Sequence, residues 1–217
     1  MLATSYKRQR GSSIVELVTV VAIVITLSGF AIMSTMGTSN NFRANNATDA
    51  VVQTLRQARQ LAVGKRRNVE VAFVGSASTS YGVQLTILPL PTDPAPTVLP
   101  AVYLNDGIKN ALQFYVFSTL PNTPMGTLGF GNSSAIDLET VNGGSVGSAV
   151  MFTTSGSLVG AGGAAASSYY SVGNNDPINM TVYLGVPGDA ATARAITVVG
   201  ATGRVRAYTW NGTAWQE

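Results

Sequence analysis

The stretch "KRQRGSSIVELVTVVAIVITLSGFAIM", Lys7 to Met33, limits what this chain can become more than any other. From Leu17 to Met33 no side chain ionises, and Val, Ile, Leu and Ala dominate. As a helix rising ~1.5 Å per residue, the run nearly crosses a hydrocarbon core of ~30 Å, so it is a candidate membrane helix. Lys7, Arg8 and Arg10 stand just before it. The positive-inside rule then places the N-terminus in the cytoplasm and everything after Met33 outside. Glu16 breaks the apolar pattern. A carboxylate in a spanning segment costs on the order of several kcal/mol unless it is paired or solvated, so Glu16 marks a function.

Two simpler readings compete. One is a secretory signal peptide cut after Gly29-Phe30-Ala31. The other is a plain single-pass anchor whose Glu16 snorkels to the headgroups. Neither accounts for Gly11. The order of basic leader, Gly11, two small residues, two apolar residues, Glu16 and a long apolar run resembles the signal of type IV pilins and type II secretion pseudopilins. That resemblance implies cleavage after Gly11 by a prepilin peptidase at the cytoplasmic face, with methylation of the new amine on Ser12. It also puts Glu16 fifth in the mature chain, where the family has a glutamate. An α-amino group titrates near ~7.7–8.0 and carries positive charge, so in a filament the Glu16 carboxylate of one subunit can pair with the amine of its neighbour. Ser12 departs from the family, which usually has phenylalanine there.

A chain of 217 residues leaves room, beyond one anchor, for one globular head. It has no cysteine, so the head holds by core packing without disulfides. The formal charge of +3 suggests a polyanion partner, but Lys7, Arg8 and Arg10 belong to the leader. Removing those three from the thirteen basic residues leaves ten against ten acids. From Asn68 onward only Lys109, Arg194, Arg204 and Arg206 face eight acids, a balance of minus four. A broad electrostatic footprint for nucleic acid is excluded, and only a local patch could serve. Without histidine or cysteine, the commonest general base, metal ligand and thiol nucleophile are missing, and no enzyme or cofactor is expected. Gly160, Gly162 and Ala165 imitate a dinucleotide fingerprint, but the flanking strand and helix it needs are not evident. Asp137 and Glu139 at spacing two read as a solvated strand face.

Past Met33 the helical pattern continues. Val51, Leu55, Ala58 and Ala62 form one stripe, with Asp49, Arg56, Arg59 and Arg67 beside it. Gly29 and Gly37 mark a weak point between the two halves of this helix. After Gly64 the period changes to two. "NVEVAFVG", "YGVQLTIL", "ALQFYVF", "AVMFTTSG" and "INMTVYLGV" read as strands, and "RAITVVGATGRVRAYTW" as a closing hairpin turning at Gly200 to Gly203. Pro89 to Pro100 and the "GSLVGAGGAAASS" stretch read as exposed loops.

"LRQARQLAVGKRRNVEVAF", "VMFTTSGSL" and "GRVR" resemble the minor pilins and pseudopilins grouped as GspH/FimT, with Leu55, Ala58, Arg59 and Ala62 on the matching pattern. In some FimT-type minor pilins a Gly-Arg-x-Arg motif contacts DNA during uptake, and Gly203, Arg204 and Arg206 match it. Alternation would put Arg204, Arg206, Tyr208 and Trp210 on one strand face, joining guanidinium forks to stacking surfaces. The bland alternative is that the two arginines pair with acids of the head.

The resemblance therefore implies an α+β, type IV pilin-like fold, with a long N-terminal helix packed on a mostly antiparallel sheet. The expected divisions are a leader over 1–11, a transmembrane or filament-core half over 12–36, an amphipathic half over 37–67 and a β-rich head over 68–217. The expected role is a minor pilin or pseudopilin that primes or tips a filament. Its expected partners are prepilin peptidase, other pilins or pseudopilins, the bacterial inner membrane and, in the alternative, DNA.

Overall fold

In the computed structural model the described residues are 14–76, 79–90, 93, 95–104, 112–125, 130, 133–139, 149–160 and 176–217, with backbone alone for 30–38, 76 and 79. The chain forms two compact units, Met1–Ser39 and Asn40–Glu217.

One helix, α1, runs over Ile14–Lys65. It is helical through Gly29 and Gly37, where the sequence suggested a weak point. In the first unit its side chains are exposed on consecutive positions, among them Ile14, Val15, Leu17, Val18, Val20 and Val21. Consecutive positions occupy every side of a helix, so this surface is apolar all round. Its hydroxyls turn inward: Thr19 donates to Val15 O at 2.6 Å, Thr26 to Ile23 O at 2.8 Å and Ser28 to Val24 O at 2.7 Å. Among the described residues, however, no helix is long and apolar enough to cross a membrane. The spanning half expected over 12–36 reaches beyond the residues whose side chains are described, and its bounds stay an expectation.

In the second unit α1 is one-sided. Ala44, Ala47, Val51, Leu55, Ala58 and Ala62 are buried, while Gln53, Arg56 and Gln60 are exposed. The 3-4 spacing of small and branched residues lets sheets approach one face. Leu55 has no exposed surface, so Leu55→Ala would cost about 2–5 kcal/mol. The helix closes at Arg66, which takes a left-handed φ of 51°. Arg67 N–H donates to Ala62 O at 3.1 Å and Arg66 N–H to Val63 O at 3.3 Å, the paired bonds of a Schellman stop. The Arg67 guanidinium then pairs with Asp93, pinning the proline-rich segment to the helix end.

Among the described residues twelve strands follow: β1 Val69–Ser76, β2 Thr79–Ile87, β3 Thr97–Val98, β4 Val102–Tyr103, β5 Gln113–Phe114, β6 Ile136–Leu138, β7 Ala149–Phe152, β8 Leu158–Gly160, β9 Met180–Val186, β10 Asp189–Val199, β11 Arg204–Trp210 and β12 Trp215–Gln216. Every pairing among the described residues is antiparallel. The fold is α+β, a long N-terminal helix followed by antiparallel sheet, but the sheet is two. Sheet 1 has the order β3-β2-β1-β7-β8 with β4 on β2; sheet 2 has the order β12-β11-β10-β9-β5 with β6 on β9. They meet where Leu158 N–H donates to Gly200 O at 2.8 Å and Ile178 N–H to Leu158 O at 2.9 Å. A Cβ on Gly200 would collide with Ile178 backbone, so glycine alone permits that approach.

Both sheets press their inner faces on α1. Val69, Val71, Val83, Leu85, Val150 and Phe152 come from sheet 1; Met180, Val182, Leu184, Ile196, Val198 and Val205 come from sheet 2. The alternate residues of sheet 2 build a second cluster on its outer face, with Phe117, Tyr183, Ala195, Tyr208 and Trp215. Two expectations are corrected here. "GSLVG" is no exposed loop, since Leu158 and Val159 are fully buried in β8, the strand that joins the sheets. "ALQFYVF" yields only the two residues of β5, because the chain then turns to place Phe117 against Gly185 and Tyr183 on the outer face.

Candidate functional site

The residues singled out in the sequence fall at two places. At the N-terminus, Gly11 and Ser12 lie outside the described residues. Glu16 stands in the first turn of α1 and is exposed. The orphan N–H groups and positive dipole end favour a carboxylate there. The only charged side chain of the described helix before Arg43 thus sits at its N-terminal edge, directly ahead of the all-apolar surface.

The second place is the β10–β11 hairpin, where the four candidate side chains separate. Gly203 has a φ of 62°, and its N–H donates to Val199 O at 2.7 Å. A Cβ there would overlap Gly156 O and press on the Arg59 side chain. The turn after β7 supplies Gly156, also left-handed at 84°, and Arg59 Nε donates to its carbonyl oxygen at 3.3 Å. The glycine of "GRVR" is therefore explained by packing. Arg59, "TTSGS" and "GRVR", which the sequence offered as three separate stretches, form one knot.

Arg204 is exposed. Arg206 is held: its guanidinium donates to Glu217 at 3.0 Å. The Tyr208 hydroxyl beside it, ahead of the Glu217 carboxylate, raises its pKa above the ordinary arginine value. Tyr208 retains 3% of its surface. Its ring belongs to the outer cluster, so it offers no face to a base, and the stacking surface expected there is corrected. Trp210 is half-buried, with its ring 5.5 Å from Trp215 in an edge-on pair. Trp215 in turn donates from Nε1 to Pro121 O at 2.8 Å. The aromatic residues of this strand hold the C-terminal end down.

Register adds a second reason for arginines here. β12 pairs with β11 only at Thr209 and Trp210, so among the described residues Arg204 to Tyr208 lie on an open sheet edge. Charged side chains on an edge discourage further strands from adding. Of the other basic residues beyond Asn68, Lys109 lies outside the described residues, and Arg194 is buried. Arg194 Nε donates to Asn45 Oδ1 at 2.8 Å and its Nη1 to Ala191 O and Ala193 O, tying β10 to α1, and desolvation lowers its pKa. Arg204 is thus the exposed cation of the head's strands among the described residues. The sequence missed the helix cations near it: Arg59 touches Gly203, one residue from Arg204, and Arg56 lies one helical turn away.

Asp137 and Glu139 are not merely solvated. Asp137 Oδ2 accepts from the Ser133 hydroxyl at 2.7 Å and from Ser134 N–H at 3.3 Å, and Glu139 Oε2 accepts from Asn179 N–H at 3.1 Å. No group of three or more His, Cys, Asp or Glu among the described residues could hold a metal.

No family model matches the chain, and no curated protein does. Among solved structures it is similar to the type IV minor pilin FimU of Pseudomonas aeruginosa, at 16% identity and a TM-score of 0.41, covering 75% of this chain and 90% of that one. It is also similar to the minor pseudopilin EpsH from the type 2 secretion system of Vibrio cholerae, at 13% identity and a TM-score of 0.40, covering 77% of this chain and 97% of that one. The overlap is loose at these scores, and no role is carried over from either protein.

Proposed function

We propose that the chain is a minor pilin or pseudopilin, a structural subunit that is processed after Gly11 and built through its N-terminal helix into a helical filament. One observation carries this reading. The first unit exposes an apolar helix surface on every side, headed by Glu16 at the spacing from Gly11 that the pilin signal has. A helix that is apolar all round needs covering on all sides. Its hydroxyls are already satisfied by its own backbone, so lipid or the packed helices of other subunits suit it equally.

In this account the run through Met33 holds the subunit in the inner membrane before assembly, with Lys7, Arg8 and Arg10 on the cytoplasmic side. Prepilin peptidase cuts between Gly11 and Ser12, and Ser12 is methylated. In the filament Glu16 pairs with a neighbour's terminal amine, a low-dielectric contact in which each charge needs the other. The α+β head, a helix half covered by two antiparallel sheets, would serve to prime or tip a filament. The mature N-terminus of the membrane-extracted protein tests the proposal: Ser12 supports it, and a start at Ile32 restores a plain signal peptide.

A second reading, DNA uptake through the "GRVR" hairpin, is favoured by the exposure of Arg204, whose neighbour Gly203 lies against Arg59 of the helix. Its geometry is narrower than the sequence suggested. Arg206 is already paired and Tyr208 is buried, so contact with phosphate would centre on Arg204 with Arg59.

A further inference from the structure

The outer face of sheet 2 carries one polar row between its aromatic cluster and its edge. Antiparallel register sets Arg206 of β11 opposite Thr197 of β10, Thr197 opposite Thr181 of β9, and Thr181 opposite Asp137 of β6. Thr181 and Thr197 are 0% exposed. Three atoms of this row, Arg206 Nε, Thr197 Oγ1 and Thr181 Oγ1, are buried without a hydrogen-bond partner among the described residues. Thr123 Oγ1 is a further orphan, on the segment whose backbone N–H bonds the Tyr183 hydroxyl in the adjoining row. The neighbouring row, Tyr183, Ala195 and Tyr208, shows that this face accepts apolar packing. A run of orphaned polar atoms beside it calls for a ligand, because each desolvated and unpaired group costs about 1–3 kcal/mol.

The chemistry of the row names the ligand. Arg206 Nε can only donate, an ionised carboxylate can only accept, and threonine hydroxyls do both. The row therefore has a direction, from a donor-only cation at one end to an acceptor-only anion at the other. We propose that it is a binding slot for ordered water, hydrogen-bonded in file from Arg206 Nε past Thr197 and Thr181 towards the Asp137 carboxylate. Water fits where apolar ligands do not, since it offers two donors and two acceptors to groups that lack them. The file makes Arg206 an interior group as much as a surface one. Its Nη1 is held by Glu217 and its Nε by the slot, which ties β11 to β6 across the sheet.

The test is the sign of a near-isosteric substitution in the detergent-solubilised full chain. Thr197→Val and Thr181→Val each keep the shape and remove the hydroxyl. A water-filled slot then loses hydrogen bonds that its waters need. Each variant unfolds at a lower midpoint, with the unfolding equilibrium constant raised about tenfold, and the double variant falls short of additive. A dry slot is instead relieved of an orphaned hydroxyl, so a raised or unchanged midpoint overturns the proposal. Should either valine variant fail to fold, Thr197→Ser and Thr197→Ala decide. Serine keeping clearly more stability than alanine supports the file, and equal losses overturn it.

Discussion

Arg59 of the helix donates from Nε to the carbonyl oxygen of Gly156 at 3.3 Å, and Gly203 lies against that same oxygen. Three pieces of chain, distant in sequence, are locked in one contact. It joins the exposed side of α1, the turn between β7 and β8, and the hairpin that carries Arg204. The hairpin is thereby held to the helix by backbone geometry that only glycine supplies.

Gly203→Ala should be destabilising by more than the roughly 1–3 kcal/mol of a left-handed alanine, because its Cβ also overlaps Gly156 O. Gly212 is the control. Its φ of 100° imposes strain, but nothing lies within 4 Å of a Cβ there. Thermal unfolding of Gly203→Ala and Gly212→Ala side by side separates the two costs, and equal shifts would deny the knot its role.

Arg66→Gly should stabilise the head by about 1 kcal/mol. Arg66 occupies the left-handed position of the helix stop at a φ of 51°, where a side chain is penalised and glycine is not. Denaturant midpoints check this, and a loss of stability would mean that the Arg66 side chain contributes a contact worth more than the strain.

The alkaline limb of stability should contain Tyr183. Burial, and secondarily the Asp137 carboxylate, push its pKa up to about 12 from 10.0. The folded state therefore holds the phenol proton more tightly than the unfolded chain does. That contribution is fully present below about 10 and is lost as pH rises through about 12. Tyr183→Phe should flatten the pH dependence of unfolding across this window, and an unchanged slope would contradict it. At acid pH the sign is opposite for Asp93, whose pKa is lowered first by its hydrogen bond from Arg67. Its contribution is present above the ordinary aspartate value and fades as pH falls below it.

How much of this was legible in the sequence follows the range of the forces involved. The stripe of Val51, Leu55, Ala58 and Ala62 and the alternation in β1, β2 and β9 announce themselves, because each residue's face is set by its neighbours three or two positions away. The split into two sheets was not legible. It depends on β8, whose three residues look like the start of a glycine-rich loop but pair antiparallel with β7, while Leu158 also bonds Gly200 and Ile178 on the side of sheet 2. The period changes after Gly64 and the helical half was expected to run to 67, yet the stop itself is set at Arg66 by paired backbone bonds that no residue type reveals. Alternation put Arg204, Arg206, Tyr208 and Trp210 on one face correctly as geometry. It could not say that Phe117, Tyr183 and Trp215 would cover part of that face.

DNA binding through the hairpin should be weak and only shallowly salt-dependent, since few phosphates can be neutralised. Arg204→Ala should reduce it more than Arg206→Ala, because Arg206 already answers Glu217 and Tyr208. Fluorescence titration of the detergent-solubilised chain at low salt reads this directly. Absence of binding, or binding unaffected by Arg204→Ala, would end the DNA reading.

Glu16→Ala should leave processing and head folding intact yet lower recovery of the subunit in sheared filaments, because a neighbour's amine would lose its counter-charge. Normal recovery would refute the pairing and leave the apolar surface alone to drive assembly.

The central claim is that the N-terminus is a pilin signal and its helix a filament core. Intact-mass analysis of the protein extracted from membranes tests it most directly. The account predicts a chain beginning at Ser12 and carrying one methyl group on its amine, and this product should disappear when Gly11 is replaced by a bulky residue. A chain beginning at Ile32, or one retaining Lys7, Arg8 and Arg10 in the presence of an active prepilin peptidase, would contradict it.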